Sequence, residues 1–160
     1  MDAPRSPAPR WLDDDQQQAW RQLAAVMLKL PSELDRQLQR DAGLSHFEYW
    51  VMALLSEADA RRLRLSDLAA QANASLSRLS HVVTRLERRG WVRRAPSPDD
   101  ARTTLAVLTD DGLAQVTAAA PGHVEAVQQL VFDALDREDV ADLARLCGVI
   151  ADRLDRPRDS

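Results

Sequence analysis

The stretch RRLRLSDLAAQANASLSRLSHVVTRLERRGWVRRAPSPDDAR, residues 61–102, decides the fold, because its pattern and its charge both differ from those of the flanking sequence. It contains ten Arg and four acidic residues, which leaves a charge of +6. The other 11 basic and 21 acidic residues give −10, so the whole chain carries −4. A compact basic island in an acidic protein concentrates the electrostatic field where a polyanion can dock.

Length and composition predict a mostly helical domain of ordinary size. The chain has 160 residues with only 4% aromatic residues and five Gly, and helix-forming Ala, Leu and Arg are abundant. The single Cys147 excludes an intrachain disulfide and a Cys-based metal site. No apolar run approaches the roughly 20 residues of a membrane span, and the N-terminal MDAPRSPAPR lacks the apolar core of a signal peptide. We therefore expect a cytoplasmic protein without membrane association.

Two helices in tandem are predicted inside the basic stretch. Ser66 can cap a brief helix over residues 67–72, and Ser75 can cap a longer one that ends at Gly90. Four apolar residues of the longer helix recur at helical spacing and are expected to face the core: Leu76, Leu79, Val83 and Leu86. Its opposite face is polar, and no acidic residue occurs between Ser75 and Thr84. Short hydroxyls, Arg and His on such a face favour entry into a DNA major groove over a merely solvated surface.

A β-hairpin is predicted directly after this helix pair. Residues 91–95 and 104–108 have the composition of strands, and the turn-rich tip 96–100 lies between them. The sequence therefore predicts a fold that is mostly α with a small β-hairpin.

Long amphipathic helices are predicted on both sides of this unit. The first starts near residue 13 and is expected to be kinked or interrupted at Pro31, and Ser45 caps the next. After the hairpin, Thr109 caps a helix that Pro121-Gly122 should interrupt, and an Asp136–Asp139 capping box starts the last one. These outer helices carry more apolar surface than one small core needs, which is typical of a subunit interface.

The hairpin and the residue run after it carry the most specific pattern. It resembles the wing signature D-x-R-x-x-x-V-x-L-T-x-x-G of the MarR (multiple antibiotic resistance regulator) family, with Ala106 at the position where Val is common. Five positions match: Asp100, Arg102, Leu108, Thr109 and Gly112. With Leu68-Ala69, the helix over 75–88 and the segment 89–92, the resemblance covers about residues 16–154.

The resemblance implies a homodimeric winged helix-turn-helix transcriptional regulator that binds double-stranded DNA. Residues 45–109 would form the DNA-binding lobe and residues 13–44 and 110–155 the dimerisation helices, with a disordered arm over 1–12 and a frayed tail over 156–160. Arg102 would reach the minor groove from the wing and Asp100 would orient it. The major-groove residues would be Ser75, Ser77, Arg78, Ser80, His81, Thr84 and Arg85.

Other site types have little support in the sequence. The three His lack partners at catalytic or metal-ligand spacing, so we expect no enzyme, no metal and no cofactor. By the same family resemblance, a small aromatic or acidic effector could bind near Trp20, Met27, Phe47, Trp50 and His123, although plain core packing is the commoner role of such residues. Repression is the commoner outcome in such families. Two alternatives stay open: a protein-interaction module that has lost DNA binding, and a ligand-independent architectural DNA binder.

Overall fold

The structure is a computed structural model, and it describes residues 9–98, 100 and 102–155. Residues 9–13 have no regular secondary structure. The rest of the predicted N-terminal arm, residues 1–8, and the predicted tail, 156–160, lie outside the described residues.

Six α-helices and a three-stranded antiparallel sheet make up the fold, which confirms the predicted class of a mostly helical chain with a hairpin wing. A 3₁₀ turn at Asp59–Arg61 precedes the first strand, and a π-helical turn at Gln128–Phe132 precedes the last helix. The helices and strands are α1 (Asp14–Ala42), α2 (His46–Glu57), β1 (Arg62–Arg64), α3 (Leu65–Gln71), α4 (Leu76–Arg88), β2 (Val92–Pro96), β3 (Thr104–Leu108), α5 (Asp110–Val127) and α6 (Arg137–Asp155).

Side-chain caps start most of these helices where the sequence predicted them. Ser45 and Glu48 form a reciprocal capping box at α2, and the hydroxyls of Ser75 and Thr109 accept backbone N–H groups at α4 and α5. Asp136 accepts from two backbone N–H groups at the start of α6. The cap expected at Ser66 is wrong, because α3 already begins at Leu65 and Arg64 precedes it without a side-chain cap.

Two prolines at which the sequence predicts a kink or an interruption do not interrupt their helices. Helix α1 continues through Pro31, and α5 continues through Pro121. Both proline side chains are exposed. Each ring removes one N–H donor, and the helical turns on both sides keep the helix continuous.

The sheet has the order β1-β3-β2, so the hairpin of β2 and β3 gains a third strand from the segment before α3. The carbonyl of Trp91 accepts the N–H of Thr109 at 3.0 Å. A Cβ at Gly112 would lie 2.0 Å from this carbonyl oxygen, so only glycine fits where α5 starts against the sheet. This contact explains the glycine of the wing signature.

The contacts divide the chain into two units, Met1–Glu33 and Leu34–Ser160, and the boundary falls inside α1. No described residue of the first unit is fully buried. The second unit holds one apolar core, whose largest fully buried side chains come from α1, the loop between α1 and α2, α2, α3, α4 and β2: Leu38, Leu44, Val51, Met52, Leu55, Leu68, Leu79, Val83, Leu86 and Val92. Among the described residues, no helix is both long enough and apolar enough to cross a membrane.

Candidate nucleic-acid interface

Helix α4 presents one apolar face to the core and one polar face to solvent. The buried residues are Leu79, Val82, Val83 and Leu86. The sequence was wrong about Leu76, which is 54% exposed, and it missed Val82, which is 3% exposed. Leu76 is the first residue of the helix and lies beyond the end of the core, beside Ser66 and Thr104.

The predicted DNA-contacting residues of α4 separate into two groups. Five of them line one open groove of about 530 Å³ together with Asp35, Ser45 and Phe47; these five are Ser75, Ser77, Arg78, His81 and Arg85. Ser80 and Thr84 do not line this groove. They lie half-buried on the side of α4 that contacts strand β2.

Arg94 of β2 holds Ser80 and Thr84 in an internal network. Its Nη2 donates to the Ser80 carbonyl at 3.0 Å, to the Ser80 Oγ at 3.1 Å and to the Thr84 Oγ1 at 3.2 Å. The Glu87 carboxylate accepts the backbone N–H of Arg94 at 2.8 Å and forms an ion pair with its guanidinium. The network ties the wing to α4, so it positions the two elements that were predicted to contact DNA relative to each other.

Arg94 was predicted as part of the basic island and of the strand over 91–95, without this role. The strand pattern could have revealed it, because alternate residues of a strand point to opposite sides. Arg93 is exposed, whereas Arg94 is half-buried. An acid at Glu87, one turn before the hairpin, is the natural partner for the inward Arg.

The first turn of α2 contacts both Arg residues of α4 that were predicted to lie in the major groove. The guanidinium carbon of Arg78 lies 4.2 Å from the centroid of the Phe47 ring. The Nε of Arg85 donates to the Glu48 Oε1 at 2.9 Å. The Glu48 side chain is 7% exposed, whereas that of Arg85 is 52% exposed.

Glu48 is a buried carboxylate with three polar partners. Burial raises the pKa of its carboxyl, but the backbone N–H of Ser45, the Arg85 guanidinium and the Ser45 hydroxyl together hold this pKa below its ordinary value. Glu48 is therefore charged at neutral pH and needs Arg85 as its counter-ion. Arg85 thus has a structural partner inside the chain, which the sequence did not indicate.

The wing tip is organised by Asp100. Its carboxylate accepts the backbone N–H of Arg102 and the hydroxyl of Thr103, both at 3.0 Å. These two hydrogen bonds lower the pKa of Asp100. The Arg102 side chain is exposed and makes no hydrogen bond or ion pair with any residue that the structure describes. Asp100 therefore shapes the backbone at Arg102 and leaves the guanidinium available.

The basic island contains two kinds of Arg. Arg61, Arg85, Arg89 and Arg94 are engaged by partners in the chain. The side chains of the other six are exposed and make no hydrogen bond or ion pair with any described residue: Arg62, Arg64, Arg78, Arg88, Arg93 and Arg102. These six supply the positive charge that is open to a polyanion.

The five predicted effector residues lie in different places. Trp20 and Met27 belong to the first unit and are about half exposed. In the second unit, Phe47 lies under Arg78, and Trp50 is 46% exposed. His123 packs against Tyr49, with ring centroids 4.6 Å apart, and against His46 at 5.6 Å.

The His46–His123 pair lies in a partly dehydrated environment. Desolvation lowers the pKa of His46, although the negative charge of Asp35 acts to raise it. Desolvation and the neighbouring His46 both lower the pKa of His123. The His123 Nδ1 and the Gln37 Oε1 are buried and have no hydrogen-bond partner in the part of the chain that the structure describes. Within the described residues, no three His, Cys, Asp or Glu side chains gather as metal ligands would.

Comparison with known proteins gives consistent matches. The model of the MarR family matches residues 44–104. The chain is similar to Sco3205 of Streptomyces coelicolor, a MarR family transcriptional regulator whose structure was solved in complex with DNA, with 45% identity over 95% of each chain and a TM-score of 0.89. It is also similar to AbsC of the same organism, with 40% identity over 91% of this chain and 98% of AbsC and a TM-score of 0.86.

Among curated proteins, the chain matches the transcriptional repressor YetL of Bacillus subtilis at 28% identity. This match covers 60% of the chain and 58% of YetL, so it spans little more than half of that relative.

Proposed function

Because the chain belongs to the MarR family of winged helix-turn-helix, DNA-binding transcriptional regulators, which are not enzymes, we propose that it acts as a homodimer on a pseudo-palindromic duplex. In this proposal residues 45–109 form the DNA-binding lobe, and the helices of residues 13–44 and 110–155 join the two subunits. Regulation is proposed to be repression.

The polar groove of α4 is the observation that carries the DNA-binding mode. Ser75, Ser77, Arg78, His81 and Arg85 open to solvent on one face. Small hydroxyls allow close approach of the helix to the groove, and Arg and His donate to base edges and phosphates. Ser80 and Thr84 are proposed to contact DNA less directly, because Arg94 already uses their oxygens.

The wing supplies a second contact. Arg102 is exposed beside a backbone that Asp100 fixes, so its guanidinium can enter a minor groove, where negative potential is concentrated. Such a contact distinguishes A·T from G·C pairs at most. We infer that α4 provides the sequence preference and that the wing adds affinity.

Dimerisation is supported by the apolar surface that the chain leaves uncovered. Helix α6 contains no buried residue, and even its apolar side chains Leu146, Val149 and Ile150 are at least 45% exposed. In the first unit, Trp20, Val26 and Met27 are exposed on α1. A monomer rarely leaves apolar stripes of this length in water.

Relief by a small aromatic or acidic effector is proposed on the family resemblance. In the second unit, Trp50 and His123 are the predicted effector residues that remain away from the α4 groove. Tyr49 and His46, which contact His123, would add polar groups to such a site.

The DNA that flanks the coding region of the protein is the first duplex to test. Footprinting should reveal two half-sites about 34–36 Å apart, one helical turn, as two-fold symmetry requires. For roughly six to ten phosphate contacts per dimer, affinity should fall about 10³–10⁵-fold between 50 and 200 mM salt.

The same titration separates the alternatives. Absence of binding to any duplex at low salt would favour a protein-interaction module. Equal affinity for the footprinted and the scrambled duplex would favour an architectural DNA binder.

A further inference from the structure

The first turn of α2 contacts two Arg residues of α4 that lie on the same side of α4. Arg78 and Arg85 are seven residues apart, which is two helical turns. Their partners, Phe47 and Glu48, are consecutive in α2. Two neighbouring residues of one helix therefore set the geometry of both cations.

The two contacts leave different numbers of donors free. The Arg78 guanidinium lies over the Phe47 ring and makes no hydrogen bond or ion pair with any residue that the structure describes, so its five donors stay available for other partners. The Nε–H of Arg85 donates to the Glu48 carboxylate, so this donor is already used. Because Glu48 is buried and charged, releasing Arg85 would leave an uncompensated charge.

An Arg recognises guanine with a pair of N–H donors that reach two acceptors on the base edge. Contact with the Phe47 ring restricts the motion of Arg78 before DNA arrives, so less conformational freedom is lost on binding. We propose that Phe47 is a positioning residue that presents Arg78 to a base edge in the major groove, while Glu48 keeps Arg85 docked on α2 outside base reading. The inference rests on the proposed DNA-binding role of the α4 groove and adds which Arg reads sequence.

The test compares operator and scrambled duplexes of equal length at one salt concentration. Phe47→Ala and Phe47→Leu should weaken operator binding about 3- to 30-fold, the range of a cation–π contact, and leave binding to the scrambled duplex unchanged. Phe47→Tyr keeps the ring and should bind the operator like the wild type. The operator's preference at one base pair should relax in the same variants that lose affinity.

A double variant separates positioning from packing. Arg78→Ala should weaken operator binding, and Phe47→Ala should add no further loss on that background, because Phe47 acts through Arg78. Additive losses, or an equal loss on both duplexes, would overturn the positioning role. So would Phe47→Leu binding as tightly as the wild type, since Leu supplies the bulk without the ring. Circular dichroism of each variant controls for folding, and the Tyr and Leu variants decide the question if Phe47→Ala does not fold.

Failure of the underlying function has a different result. If the wild type itself binds the operator and the scrambled duplex equally, the α4 groove does not read sequence and the proposed interface is wrong. If the wild type prefers the operator but Arg78→Ala or the Phe47 variants bind it as tightly as the wild type does, the interface stands and the positioning role falls.

Discussion

Helices α4 and α6 carry apolar stripes of similar spacing but use them differently. Helix α4 buries Leu79, Val83 and Leu86 to below 1% exposure against α3 and the rest of the core. Helix α6 is longer, at 19 residues, and none of its residues is buried. One stripe is covered from within the chain and the other is not. The pattern alone indicates that a helix has an apolar partner, and only the fold reveals whether that partner lies in the same molecule.

The largest expected effect comes from a charge on the uncovered stripe. Leu146→Asp on α6 should convert the proposed dimer to a monomer, because an isolated carboxylate cannot be buried in an apolar interface. Operator affinity should then fall about 10²–10⁴-fold, since two half-sites no longer act together. Light scattering and a duplex titration measure the two quantities.

A matched control exists on the same helix. Ala141 is exposed and lies on the side of α6 opposite Leu143 and Leu146. Ala141→Asp adds the same charge and should leave the mass at that of a dimer. A dimeric Leu146→Asp would remove the contrast between α4 and α6 from which the interface is inferred.

The second prediction concerns the polar face of α4, which is less uniform than its sequence suggests. Arg85→Ala should lower the free energy of unfolding by about 1–3 kcal/mol, because the buried Glu48 carboxylate loses its counter-ion. The lower end is expected, since the Arg85 side chain is 52% exposed. Arg78→Ala, on the same face, should lower it by only about 0.5–1 kcal/mol, the value of an exposed cation–π contact. Urea unfolding of the two variants gives the comparison.

The pH dependence of this effect has a definite sign. The pKa of Glu48 is held below its ordinary value of 4.5, so its contribution is complete above that pH and disappears as the pH falls through the folded-state pKa. The difference between the wild type and Arg85→Ala should shrink over that window. A difference that persists in strong acid would mean that Arg85 stabilises the fold through packing and not through its charge.

Local features were predictable from the sequence, and contacts between distant residues were not. The caps at Ser45, Ser75 and Thr109 and the strand Thr104–Leu108 were correct, because each depends on residues within a few positions of one another. The Glu48–Arg85 pair joins residues 37 positions apart. Nothing in the spacing of Arg78 and Arg85 could indicate that one contacts a ring and the other a carboxylate.

The candidate site was predicted as one set of α4 residues and is divided by the fold. Ser80 and Thr84 fit the polar face by helical periodicity, but Arg94 approaches them from β2. Helical periodicity of 3.6 residues places residues around a helix to within a sector. Periodicity does not indicate which neighbouring strand packs beside that sector. The division of the polar face into two groups is therefore visible only in the tertiary structure.

The third prediction sharpens the contrast between the α4 groove and the wing. Arg102→Ala should weaken binding to operator and scrambled duplex alike, at least about tenfold if each wing contributes one charged hydrogen bond. The slope of log affinity against log salt concentration should become shallower by about two per dimer. Arg10→Ala, which removes a charge from an exposed residue far from the sheet in sequence, is the control. A loss confined to the operator would assign base reading to the wing.

The smallest effect is expected at the contact of α2 with α5, the helix that precedes the uncovered α6. The pKa values of His46 and His123 lie below their ordinary 6.5, mainly because burial disfavours the charged ring. Below pH 6.5 the unfolded chain therefore binds protons that the folded chain does not, and stability should fall as the pH decreases from 6.5 to the folded-state pKa values. Thermal unfolding between pH 5 and pH 8 measures this slope, and the double variant His46→Gln, His123→Gln should flatten it. His81→Gln removes the third His without touching the pair and serves as the control. If the double variant keeps the full slope of stability against pH, other groups cause that slope. The α2–α5 contact would then be as insensitive to pH as the apolar stripe of α4, which has no titratable side chain.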